Sequence, residues 1–279
     1  MSELRYLRGA GGARLAVREA GDPAKPPIVL LHGWSSTGAA WAAQLADADL
    51  TAHHRLLAPD LRGHGESDKP DPAAGGYADS AVWAADLAAV LAYAGAPAVV
   101  VGWSYGGLVI ADHLRERGQA GIAGIMLVGA ITEIGPGRPG GEVGPAWDGV
   151  MRPALSDDPA LAIPALTALA GRMTAAPTGE QVQQLAGDLL SVPPAVRAAL
   201  FRRSLDSANV LVKVSVPTLV VHGDLDEVIS PRAGEYAAGK IPDASLRWFS
   251  DVGHMPFVER TEEFNETLRT FAGSTTTSH

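Results

Sequence analysis

The sequence predicts an α/β fold: a mostly parallel central sheet with helices on both faces and one inserted helical segment. Three observations carry this expectation. Short apolar runs recur at 28–31, 55–60, 99–103, 122–128 and 216–223, and they alternate with helix-compatible stretches. One of them, Val99-Val100-Val101, passes through Gly102-Trp103-Ser104-Tyr105-Gly106 straight into a helical segment. Between 131 and 212 no strand signal occurs at all.

Length and composition bound the reading. A chain of 279 residues suits one large domain with an inserted subdomain. With 47% apolar and 19% charged residues, it is globular rather than disordered. The net charge is −9 with no basic block, which excludes phosphate-backbone binding and hence nucleic acid as a partner. Cysteine is absent, so disulfides, thiolate metal sites and a cysteine nucleophile are excluded together. The first residues lack the apolar core of a signal peptide, and no apolar run reaches the roughly 18 residues of a membrane span. The expectation is a soluble cytoplasmic protein without membrane contact.

The elements follow in order. Residues 4–8 and 14–19 alternate around Gly9-Ala10-Gly11-Gly12 and read as an antiparallel hairpin. Ile28-Val29-Leu30-Leu31 is a fully apolar, central strand that runs into His32-Gly33-Trp34-Ser35. Gly33 lets the chain turn there, which leaves the Trp34 N–H free to point at Ser104; His32 is read as a brace for the loop. A helix is expected over 39–50, then a strand over 55–60. The Gly-rich loop 61–70 lacks the spacing of a phosphate cradle and is read as structural. Residues 79–94 show helical spacing, ended by Gly95 and Pro97. The strand at 99–103, a helix at 105–117 and a strand at 122–128 continue the alternation, which implies parallel pairing. Residues 135–145 hold eight Gly or Pro among eleven, a stretch read as an irregular hinge. Proline-cut helices follow to about 209. The domain reading is therefore a main α/β domain made of 1–130 and 213–279, with 131–212 as a helical cap insertion. A strand at 216–223, a helix at 232–238, a strand at 245–249 and a helix at 262–271 close the fold, with a disordered tail from 273 to 279.

Gly102-Trp103-Ser104-Tyr105-Gly106 carries the chemistry. Chance alone would place Gly-x-Ser-x-Gly in roughly one in five chains of this composition, so the flanks decide. A strand before it, a helix after it and a further Gly107 make it a sharp strand-to-helix turn that lifts the Ser104 hydroxyl above the sheet edge. A serine hydroxyl needs a base, and the base needs a third group to hold its tautomer. In a parallel sheet these gather at the carboxyl ends of strands. Among eight histidines, His254 follows the last strand after Gly253 and is the candidate base. Asp224 and Asp226 both follow the preceding strand; Asp226 lies further into the loop and is favoured as the acid. Aromatic and apolar residues of the insertion, Trp147, Met151 and Met173 among them, join Trp103 as candidate substrate contacts.

The order Ser104, Asp226, His254 belongs to one fold among the three known orders of this triad. On these residues, together with His32-Gly33-Trp34, the loop from Asp60 to Pro70, Gly223 and Gly253, the chain resembles the α/β-hydrolase superfamily, in its capped serine-esterase and perhydrolase-like branch. The resemblance spans the whole catalytic domain. It implies an oxyanion hole from the backbone amides of Trp34 and Tyr105, the same pair the local geometry suggests, and hydrolysis of carboxylic esters or lactones of small-to-medium apolar substrates through an acyl-enzyme, with no cofactor and no metal. Alternatives on the same triad are a cofactor-free perhydrolase or haloperoxidase, and cleavage of carbon–carbon bonds. Perhydrolase-like relatives usually carry proline after His-Gly-Trp, where this chain has Ser35. Hydroxynitrile lyases need a lysine after the base, where Met255 stands. A non-enzymatic small-molecule receptor is the reading from a different class.

Overall fold

The computed structural model describes residues 2–74 and 76–276. Its eight strands are β1 (Glu3–Arg8), β2 (Arg14–Ala20), β3 (Pro27–Leu31), β4 (Arg55–Pro59), β5 (Ala98–Trp103), β6 (Ile122–Val128), β7 (Thr218–Gly223) and β8 (Ser245–Phe249). They form one sheet in the order β1-β2-β4-β3-β5-β6-β7-β8. The β1/β2 and β2/β4 pairs are antiparallel, and every other pair is parallel. The order follows hydrophobicity. β3, β4 and β5 are buried along their whole length and lie centrally, whereas β1 is largely exposed and forms an edge.

Helices α1 (Ala42–Ala46), α2 (Ala48–His53), α3 (Ser80–Ala94) and α4 (Gly106–Arg117) cover the first half. α5 (Met151–Ala154), α6 (Pro159–Ala170), α7 (Gly179–Ser191), α8 (Pro194–Phe201) and α9 (Ala208–Leu211) lie between β6 and β7. α10 (Pro231–Lys240), α11 (Pro256–Glu259) and α12 (Thr261–Thr276) complete the chain. Two glycines show how the helices divide. A Cβ on Gly102 would meet Ile110 of α4 at 2.7 Å, and one on Gly124 would meet Thr275 of α12 at 2.7 Å. Gly124 pairs with Val99, three residues from Gly102, so the two glycines face opposite sides of the sheet. α4 and α12 therefore cover opposite faces.

Three expectations change. The helix read over 39–50 breaks at Asp47, whose carboxylate accepts the Leu50 N–H at 2.8 Å and caps α2. The last helix runs on through Thr276, so 273–276 are not an irregular tail; 277–279, including His279, lie outside the described residues. The Gly/Pro-rich stretch 135–145 is fastened rather than loose. Gly144 and Ala146 donate to Val228 and Glu227 carbonyls at 2.9 and 2.8 Å, and Ser230 donates to the Glu142 carbonyl at 3.0 Å.

Candidate active site

β5 ends in a turn that only small residues permit. A Cβ on Gly106 would lie 2.8 Å from the Leu31 carbonyl oxygen, and one on Gly102 would lie 2.8 Å from the Gly106 carbonyl carbon. Ser104, between them, sits in the left-handed region at φ 53°, an uncommon conformation for a non-glycine residue that the surrounding bonds impose. Its N–H donates to Val128 at 3.0 Å, and its carbonyl accepts from Gly107 and Ile131 at 3.0 and 3.2 Å. The side chain is thereby lifted to the sheet edge beside Gly33, where an added Cβ would stand 3.0 Å from the Ser104 Cβ.

The loop after β3 is held by two histidines. His32 Nδ1 donates to the Gly33 carbonyl at 2.8 Å while its Nε2 accepts the Leu61 N–H at 2.9 Å. His64 Nδ1 donates to the Arg62 carbonyl at 2.9 Å, and its Nε2 accepts the Ser35 N–H at 3.2 Å. Burial pushes His32 down to about 4; burial and then the neighbouring His32 push His64 down to about 3. Both are neutral braces. The backbone N–H groups of Trp34 and Tyr105 have no acceptor among the described residues.

Asp226 and His254 meet across two loops. His254 Nδ1 lies 2.7 Å from Asp226 Oδ2. The other carboxylate oxygen accepts the Val228 and Ile229 N–H groups at 2.8 and 2.9 Å. Burial alone would raise the Asp226 carboxyl; the adjoining His254 and His222 imidazoles outweigh it and hold it well below the usual carboxylate range. Asp224, the other candidate acid, is exposed and among the described residues accepts only the Val252 N–H, at 3.4 Å. The Ser104 hydroxyl makes no hydrogen bond among the described residues. Shared neighbours bring it to the same place: Ser104 bonds Val128, and a Cβ on the next residue, Gly129, would lie 3.1 Å from both His254 Nδ1 and Asp226 Oδ2. Among the described residues no group of three His, Asp or Glu side chains could hold a metal ion. No helix among them is long and apolar enough to cross a membrane.

A profile described as the Alpha/beta hydrolase family matches residues 28–267. The chain belongs to the alpha/beta hydrolase family. It is 43% identical to an esterase from Rhodococcus sp., with a TM-score of 0.91 over 97% of this chain and 98% of that one. A putative aryl esterase from Burkholderia cenocepacia is 31% identical, with a TM-score of 0.90 over 99% and 100% of the two chains. A pimeloyl-[acyl-carrier protein] methyl ester esterase of Vibrio campbellii is 29% identical over 252 residues, 88% of this chain and 94% of the relative.

The remaining candidate residues of this alpha/beta hydrolase divide. Trp147 stacks edge-on with Trp34 and Phe201, ring centroids 5.5 and 5.4 Å away, above the loop that carries the Trp34 N–H. Met151 is half-buried at the start of α5, and Met173 is buried with its carbonyl accepting the His254 N–H at 3.0 Å. Trp103 departs from the expected substrate contact. Its ring is buried against Phe257 and its Nε1 donates to the His254 carbonyl at 3.0 Å, so it supports the His254 loop from below.

Two further residues escaped the sequence reading. Glu259 accepts the N–H groups of Gly253, Met255 and Ala175 at 3.0, 3.2 and 2.8 Å, bracketing His254. The available signal was that a loop with consecutive free N–H groups needs an acceptor, and Glu259 is the first acid after it. His222 places Nε2 3.1 Å from Asp226 Oδ2. A histidine within an apolar strand end carries no comparable signal.

Proposed function

We propose that this alpha/beta hydrolase is a serine carboxylic-ester hydrolase acting on neutral, small-to-medium apolar esters or lactones. The observation that carries the reading is the 2.7 Å Asp226–His254 pair beside a serine held at φ 53°. Ser104 attacks the ester carbonyl while His254 takes its proton, and Asp226 stabilises the imidazolium. The N–H groups of Trp34 and Tyr105 receive the negative oxygen of the tetrahedral intermediate, where one lost donor typically costs about 3 kcal/mol. The alcohol leaves with the proton from His254, and water activated by the same imidazole releases the acid.

Residues 131–212 act as the cap in this reading. Its α8 supplies carbonyls to both donor residues: Arg197 accepts the Trp34 indole N–H and Leu200 accepts the Tyr105 hydroxyl, each at 3.3 Å. A neutral substrate is favoured because the buried arginines near this face are already engaged. Arg203 Nη2 donates to both Asp112 carboxylate oxygens at 2.6 and 2.7 Å, and Arg197 donates to the Val192 and Ala154 carbonyls at 2.7 and 3.2 Å. The esterase names of the relatives support ester cleavage. The perhydrolase alternative loses ground at Ser35, whose φ of 53° is closed to the proline usual there, since proline is locked near −65°.

A fluorophosphonate probe and a panel of p-nitrophenyl esters of increasing acyl length test the proposal. The wild type is labelled and the Ser104→Ala variant is not, with turnover reduced by at least about 10⁴-fold. Buffer-level rates across the panel from folded, unlabelled protein would overturn it.

A further inference from the structure

We infer that His222 is a positioning residue: a neutral second imidazole that fixes Asp226 and tempers its basicity toward His254. The inference rests on reading Asp226 as the acid of the triad.

The carboxylate has four donors. Val228 and Ile229 N–H groups occupy Oδ1, while His254 Nδ1 and His222 Nε2 converge on Oδ2 at 2.7 and 3.1 Å. His222 Nε2 also lies 3.2 Å from the Ile229 carbonyl oxygen. Both of its neighbours are acceptors, so Nε2 carries the hydrogen. The other nitrogen, Nδ1, is buried with no hydrogen-bond partner among the described residues. The backbone of α10 is pressed against it, since a Cβ on Gly234 would stand 2.6 Å away. A second proton, on Nδ1, would be buried without an acceptor, at a cost that keeps the ring neutral.

The two imidazoles on one oxygen thus have different work. His254 takes up and returns a proton, whereas His222 only donates. A donor on Oδ2 spreads the carboxylate charge and makes it a weaker partner for the imidazolium. It also holds the carboxylate in place when His254 moves. Among the described residues no other charged group is bonded to this pair. On α10, Arg232, Glu235 and Lys240 are exposed and Tyr236 donates to Glu133 at 3.2 Å. On β8, Arg247 pairs with Glu263 at 2.9 Å. In the adjoining loops, Glu227 pairs with Arg172, Asp224 takes the Val252 N–H and Glu259 takes backbone N–H groups.

The test is an NMR titration of His254 in substrate-free wild type, His222→Leu and His222→Gln, with kcat/KM against pH alongside. Loss of the donor in His222→Leu raises the His254 titration and the acid limb of kcat/KM together, by roughly half a unit to one unit, a 3- to 10-fold loss below the limb. His222→Gln, which keeps an N–H donor, returns most of that shift. Nitrogen chemical shifts of the wild type report His222 as the Nε2–H form from pH 6 to 8, a measurement that needs no variant to fold. A folded His222→Leu protein with unmoved titration, or a wild-type His222 that is protonated or Nδ1–H, overturns the inference. The two NMR readouts need no turnover, so failure of Ser104 to label would count against the hydrolytic reading alone.

Discussion

The loops at the carboxyl ends of the strands and the helical segment 131–212 are built on different principles. In the strand-end loops the backbone is confined from all sides. Gly102, Gly106, Gly223 and Gly253 each stand where a Cβ would meet other backbone atoms within 3 Å. Within helix α7 Gly179 and Gly187 have nothing within 4 Å, and α6 carries Pro164 in its interior, whereas Gly141 and Gly144, where the segment meets the strand-end loops, would each place a Cβ 2.3 Å from a backbone oxygen. The first region admits few residue types and few conformations. Helices α6 and α7 tolerate more, because they are set by apolar burial. Conformational confinement, rather than hydrophobicity, separates the strand-end loops and the junctions fastened to them from these two helices.

The largest effect should come from the most confined group. Asp226→Asn is expected to lower kcat by roughly 10⁴-fold, through loss of the tautomer that presents His254 correctly, while Asp224→Asn stays within about twofold. Equal losses in both variants, measured by steady-state kinetics, would break the contrast drawn between them. Acid comes next. His32 and His64 stay neutral in the folded chain down to about 4 and about 3, whereas unfolded histidines take up protons near 6.5. The unfolded state therefore binds more protons below 6.5. Stability should fall from there toward pH 4, by up to about 1.4 kcal/mol per pH unit for each histidine. Residues 131–212 contain no histidine, so this sensitivity belongs to the strand-end region. Urea unfolding curves that superimpose between pH 7 and 5 would contradict it.

A matched pair of glycine substitutions sharpens the comparison further. Gly106→Ala forces a Cβ to 2.8 Å from the Leu31 carbonyl and should cost roughly 3 kcal/mol, with activity lost in parallel. Glu259→Ala removes the acceptor shared by the base loop and Ala175, so both regions should loosen together. Its expected cost is about 1–3 kcal/mol with a lower kcat, and Glu259→Gln should recover part of it. The smallest change carries the opposite sign. Gly187→Ala, at an exposed position within α7, should stabilise the protein by about 0.5–1 kcal/mol in chemical denaturation without altering kcat.

The same division governs what the sequence reveals. Strand ends, the turn at Ser104, and the positions of Asp226 and His254 are legible because each is announced by neighbours in the chain: an apolar run, then glycine, then a polar residue. Trp103 misleads because an indole beside the serine reads alike whether it faces a pocket or lies beneath a loop. Asp47 is a cap whose signal is lost inside an otherwise continuous helical pattern. His222 and Glu259 escape for a different reason. Their roles exist only once loops distant in the chain have folded together, as Gln44 likewise finds its partners at Phe257 and Asn265.

Main-chain groups of 142–146 are zipped to the loop that follows Asp226, and those of 173–175 to the loop around His254. Apart from the Glu259 carboxylate that accepts from Ala175, such stitching is indifferent to side-chain identity. A combinatorial library that randomises Met151, Leu155 or Phe201 should leave the Asp226–His254 pair seated, provided no proline enters at 144, 146 or 175. Selectivity and turnover should then be adjustable as nearly separate dials.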